Sequence, residues 1–145
     1  PGLRDSPDGL VLAAAIRQTL HEFDAALGLL DEALDRDPRH AQALLDRAAL
    51  HLLQGRREQA SRDCAALWRM GAARAARICA AAIAVRGPDP GLAVAPLEAL
   101  LVATPREDAA LRAWIHELLA EATAHGGDAA AAERHLLLGL AALPD

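Results

Sequence analysis

The chain has 145 residues, 53% of them hydrophobic but only 2% aromatic, and a net charge of −5. That length accommodates one ordinary domain or a short run of stacked repeats. Scattered arginines, an acidic balance and almost no stacking aromatics argue against a nucleic-acid binder, and no apolar run approaches the roughly 18 residues of a membrane span.

Alanine, at about a quarter of positions, and leucine must carry the packing, a composition that favours helices in close approach. Lysine and asparagine are absent, so all 15 basic residues are Arg. This is the bias of a GC-rich bacterial genome. The opening PGLRDSPDG has neither a methionine nor a signal-peptide pattern, and reads as the start of a mature form or an excised piece.

Helix punctuation is legible along the chain. Residues 1–6 are expected to be irregular, with Ser6 and Pro7 as N-cap and first position of a helix to about Leu20. A second helix covers HEFDAALGLLDEALDRDP and ends at Pro38, because the residue before proline avoids helical geometry. A third runs from about Arg39 to Leu53 and stops at Gln54-Gly55, and a fourth from about Arg56 to Met70 stops at Gly71. The alanine-rich fifth continues to Arg86 and meets GPDPG, Gly87 to Gly91, the strongest turn signal present. A sixth lies between Leu92 and Ala103, with Pro96 in its first turns or kinking it. In TPRE, Thr104 and Glu107 form a capping box with Pro105 at the first helical position, opening a seventh helix that extends to His125. Asp128 caps an eighth, to Leu143. No strand alternation occurs, so the expected fold class is all-α.

The helices repeat. Laying the second helix over residues 55–72, 88–105 and 127–144 without gaps puts Ala26 on Ala60, Ala93 and Ala132. Leu30 falls on Cys64, Leu97 and Leu136, and Pro38 on Pro105 and Pro144, with Ala72 the exception. Twelve residues upstream of each shared alanine stands another: Ala14, Ala48, Ala81 and Ala120. Small residues at both places let the two helices of a hairpin approach closely. The spacing is 34, 33 and 39 residues, the long last step being ascribed to TPRED at the front of the seventh helix.

A helix-turn-helix unit recurring at about 34 residues resembles the tetratricopeptide repeat. The resemblance is carried by HEFDAALGLLDEAL with Pro38, LLDRAALHLLQGRREQA, and LLAEATAHGGDAAAAERH with Pro144. It is weaker in the third unit, where prolines crowd the turn. At the family's aromatic position of the first helix stand Arg17, His51, Ala84 and Thr123. The resemblance implies an α-α superhelix of four hairpins in a single repeat domain over 7–145, with units at about 7–40, 41–72, 73–108 and 109–145. The run from Ile16 to Leu67 is also similar to exported tetratricopeptide proteins of GC-rich bacteria. That likeness implies a longer parent chain with further repeats, and export or a periplasmic location, while leaving a cytoplasmic one open.

What the family implies about function is protein or peptide binding on the concave surface lined by the first helix of each unit. Carried over residue by residue, that lining is Asp8, Val11, Ala15 and Gln18, then Gln42, Leu45, Ala49 and Leu52. The third unit adds Ala75, Ile78, Ala82 and Val85, and the fourth Trp114, Glu117, Glu121 and Ala124. Such a groove, apolar in the middle and acidic at one end, suits an apolar segment with a basic residue or two. Trp114 is its best anchor. The alternative is that Leu45, Leu52 and Val85 are core. The family's carboxylate clamp uses Lys and Asn, and the chain contains neither.

Nothing points to an enzyme or a cofactor. The only serines, Ser6 and Ser61, lie in no nucleophile turn, and no phosphate loop or paired zinc-ligand spacing occurs. Glu117, Glu121 and His125 share a helical stripe that could gather a metal, though a solvated charged face is the commoner meaning. His21, His40 and His51 read as surface or packing residues. Cys64 and Cys79 flank Gly71 at similar distances, so antiparallel helices would bring them level. Two reduced core thiols are the preferred expectation, with a disulfide in an oxidising compartment as the alternative. In the last helix Leu136, Leu140 and Leu143 form one apolar stripe while Leu137, Leu138 and Ala141 cover another. A terminal repeat helix should be polar outside, so this face belongs to further repeats, a homodimer or another partner. The rival to the groove is therefore a spacer or oligomerisation module that uses this helix.

Overall fold

The computed structural model describes Gly2 and residues 5–144; of the irregular segment expected over 1–6, residues 1, 3 and 4 lie outside that set. Eight α-helices and no strand occur among the described residues: α1 (Pro7–Thr19), α2 (Phe23–Arg36), α3 (Ala41–Leu53), α4 (Arg57–Arg69), α5 (Ala73–Val85), α6 (Val94–Ala103), α7 (Ala109–His125) and α8 (Ala129–Ala142). A 3-10 turn, Pro90–Ala93, leads into α6. The chain divides into two compact units, one through Cys79 and one from Ala80, so the division falls inside α5. In the first unit α1 packs on α2, α2 on α3 and α3 on α4. In the second, α6 and the 3-10 turn pack on α7, and α7 on α8. Successive helices thus pack on one another within each unit, as a helical repeat requires.

The internal repeat is physical. The second helices of the four units start at 23, 57, 90 (with the 3-10 turn) and 129, reproducing the steps of 34, 33 and 39. All eight repeated alanines are buried: Ala14, Ala26, Ala48, Ala60, Ala81, Ala93, Ala120 and Ala132. A methyl group in both helices of a hairpin lets the backbones approach where a leucine would hold them apart.

Four helix ends share one hydrogen-bond pattern. After α1, α3, α4 and α7 a residue in the left-handed region, His21, Gly55, Gly71 or Gly127, reverses the chain. The next N–H reaches five residues back: Glu22 to Arg17 O (2.9 Å), Arg56 to His51 O (2.7 Å), Ala72 to Leu67 O (3.0 Å) and Asp128 to Thr123 O (2.9 Å). These are Schellman turns, which satisfy carbonyls that the helix itself leaves open. The third unit departs because Pro88 stands where the others have the left-handed residue. Proline is locked near φ −65° and cannot occupy it. A 3-10 turn substitutes there, and Pro96 falls in the first turn of α6, where its missing N–H costs nothing.

Most caps are those expected. Ser6 Oγ accepts from the Gly9 N–H at 3.0 Å, and an Asp128 carboxylate oxygen from the Ala131 N–H at 2.9 Å. The capping box is not. Thr104 closes α6 rather than opening α7: it is buried and its hydroxyl donates to the Leu100 carbonyl at 2.6 Å. Asp108 caps α7 instead, accepting from the Leu111 N–H at 3.3 Å. The hydroxyl is consumed by the helix behind it, so TPRED forms the connection. The long last step arises partly from that connection and partly from α7, which has 17 residues against 13 in α1, α3 and α5.

The turns give a paired prediction. Gly55 has φ +73° and nothing near its absent Cβ, whereas helical Gly28 has equal space and no such backbone. Gly55→Ala should cost about 1 kcal/mol through backbone strain alone. Gly28→Ala should stabilise by roughly 0.5–1 kcal/mol. Urea titration of the two variants reads both signs.

Candidate functional site

The first helices do not present the proposed groove as an open surface. Leu45, Leu52, Ile78 and Val85 are buried, at 5%, 6%, 1% and 0% exposure, so these four belong to the core and cannot meet a partner. The reason is visible in α3, which packs on α2 and α4 together and buries six of its 13 residues. A helix flanked on two sides has little face left for a ligand. Ala82 is also buried, whereas Ala49 and Ala75 are half-buried. Val11 and Gln18 are half-buried, and Asp8, Ala15, Gln42, Glu117 and Ala124 exposed. Gln42 donates to Asp46 at 2.7 Å, and burial raises the Asp46 pKa above its usual value. Trp114 is half-buried. The more exposed tryptophan is Trp68 on α4, at 50%, which the sequence pattern did not single out.

The apolar surface lies elsewhere. On α8, Leu136, Leu137, Leu138 and Leu140 are exposed, as is Leu143 just beyond its end, while Ala131, Ala132 and Gly139 face inward. A Cβ on Gly139 would lie 3.3 Å from His116 Cβ and 3.4 Å from the Ala113 carbonyl, so α8 lies close against α7 and its leucines are left outside. On α1 and at its C-cap, Leu12, Ile16 and Leu20 are exposed at four-residue spacing, one stripe of the helix. Contiguous apolar faces of this kind mark interaction sites.

The charged groups mainly fasten helices together. Arg47 of α3 holds Asp63 of α4 through two bonds, Nε to Oδ2 at 3.0 Å and Nη2 to Oδ1 at 2.6 Å. It also holds Asp31 of α2 at 2.8 Å. The Asp63 hydrogen bonds, opposed by burial and aided by Asp31, push the guanidinium pKa still higher. His40, expected on the surface or in packing, caps α3: its Nδ1 accepts from the Ala43 N–H at 3.1 Å. Its Nε2–H is thereby left to donate to Asp8, 2.8 Å away. Arg112 of α7 donates to the Leu101 and Thr104 carbonyls at the end of α6, both at 2.9 Å. Of the Glu117, Glu121 and His125 stripe, Glu121 pairs with Arg86 at 3.3 Å and His125 Nδ1 donates to the Glu121 carbonyl at 2.9 Å. Among the described residues no three His, Cys, Asp or Glu side chains gather into a metal site.

Two groups correct or extend the sequence reading. Cys64 and Cys79 are joined as a disulfide with Cα atoms 5.5 Å apart, not held as two reduced thiols. The tight turn at Gly71 places α4 and α5 antiparallel, which brings the two residues level. His116 of α7 and His135 of α8 meet with Nδ1 atoms 3.2 Å apart, one ring donating and the other accepting. Burial, then His135 and Arg112, lower the His116 pKa.

Both features are measurable. The disulfide closes a loop of 15 residues, which should contribute about 3 kcal/mol; the unreduced, denatured chain should show no reactive thiol, and reduction should lower Tm. For His116, a folded pKa below the ordinary 6.5 means the unfolded chain binds a proton that the folded chain refuses. Stability is therefore complete above about pH 6.5 and falls as the pH drops below it. His51, also lowered by burial, acts in the same direction. His116→Gln should flatten the decline of Tm between pH 7 and 5 without abolishing it. No protein-family model matches the chain, and no curated protein matches it.

Proposed function

We propose that the chain is a non-enzymatic helical-repeat scaffold that binds other polypeptides through the apolar helix faces at its ends, foremost that of α8. The observation that carries this reading is the set of four exposed leucines on α8, with Leu143 exposed just beyond it. Burying such side chains drives protein association, and α8 is anchored to α7 along its opposite, small-residue side. The repeat length and the buried alanines support a tetratricopeptide-like unit, the resemblance from which protein binding was inferred. Groove capture loses Leu45, Leu52, Ile78 and Val85 to the core and becomes the secondary reading. It keeps half-buried Trp114 and exposed Glu117 on α7. The disulfide supports an oxidising compartment, in keeping with an exported bacterial protein.

The test is affinity capture with three forms of the chain: unaltered, Leu137→Asp/Leu140→Asp, and Trp114→Ala/Glu117→Ala. The two leucines are 60% and 70% exposed, so the first variant should fold. A partner held by the unaltered chain and the tryptophan variant but released by the leucine variant supports the α8 face. Release by the tryptophan variant alone transfers the function to the groove.

A further inference from the structure

We propose that copies of this chain associate head to tail, the outer face of α8 in one copy seated on the outer face of α1 in the next. The inference rests on the α8 reading above and names its occupant. Its basis is the register of the chain's own helix-to-helix joints. The disulfide fixes how the second helix of one unit meets the first helix of the following one: Cys64 on α4 lies against Cys79 on α5, with Cα atoms 5.5 Å apart. In the repeat, Cys64 is equivalent to Leu30, Leu97 and Leu136. Cys79, counted from the repeated alanines, is equivalent to Leu12, Asp46 and Leu118.

The joint between α6 and α7 puts Leu97 and Leu118 at these two places, at 0% and 2% exposure. The α2–α3 joint has buried Leu30 and half-buried Asp46, the latter held by Gln42; the last pair, Leu136 and Leu12, sits on the last helix and the first, at 53% and 62% exposure. They have the chemistry of a joint and no neighbouring helix to make it. A second position agrees. The ion pair between Asp31 of α2 and Arg47 of α3 maps onto Leu137 of α8 and Ala13 of α1. An apolar pair there leaves no charge to be buried unpaired. The two end faces are thus complementary to each other by the register that the chain uses internally. Such a contact is heterologous, joining two different faces of the chain.

The experiment is cysteine cross-linking with the native disulfide intact. Leu12→Cys/Leu136→Cys should give a ladder of dimers, trimers and longer species on a non-reducing gel, with the 12–136 link identified by peptide mapping. An equimolar mixture of the two single variants should give dimers and nothing larger. Leu92→Cys/Val102→Cys, at 72% and 89% exposure, reports random collision. No ladder above that control overturns the proposal, as does dimerisation of Leu136→Cys alone at the rate of the mixture, which would mean two α8 faces pairing with each other. A failed ladder with α8-dependent capture of another protein intact would remove the head-to-tail contact and leave the scaffold reading standing.

Discussion

Close approach of helices at small side chains is the constraint on which the rest of this structure depends. With one phenylalanine, two tryptophans and no tyrosine, the chain cannot fill wide spaces between helices. It avoids them by placing a buried alanine in both halves of every repeat hairpin, Ala93 standing in the 3-10 turn that leads into α6. Packing density is then reached by proximity rather than by side-chain bulk. Gly139, tight against His116 and Ala113, takes the same solution one step further. Close helices need short reversals, and four Schellman turns supply them.

With backbones this close, the joints between helices differ in chemistry. Arg47 bridges α2, α3 and α4 with two carboxylates. Cys64 and Cys79 link α4 to α5 covalently. Arg112 ties α7 to the end of α6 through two carbonyls. The ion pair and the charge-assisted hydrogen bonds each satisfy groups that would be expensive to bury alone. On α1 and α8, leucines stand at the positions equivalent to the two cysteines, Leu12 and Leu136, and there the apolar surface is uncovered.

The interior histidines add a dependence on pH that the packing would not otherwise have. His116 is pressed against His135 with room for one shared proton, and His51 on α3 is half-buried near Asp63, Arg47, Arg56 and Asp31. Each resists protonation in the folded state, so mild acid works against both units.

Much of the fold was legible in local sequence. Ser6, Asp128, Gly55, Gly71 and Gly127 mark helix ends through side-chain oxygens and left-handed backbone, chemistry that acts within five residues and needs no tertiary context. The alanine register identified the repeat because a methyl at a helix contact has no substitute of larger volume. The errors arose where local signals had two uses. Thr104 could serve the helix behind it or the one ahead, and only the folded chain assigned its hydroxyl to Leu100. Leu45 and Leu52 could line a groove or fill a core; α3 packing on two neighbours decided for the core. The pairing of Arg47 with Asp31 and Asp63, and of His116 with His135, joins residues 16 to 19 apart, distances at which sequence carries no preference. The sequence by itself determined the helices, their turns and their repeat, because these follow from short-range sterics and hydrogen bonding. Tertiary structure alone decided which leucines remained at the surface and that the two thiols met, because both depend on what lies across the helix, not along it.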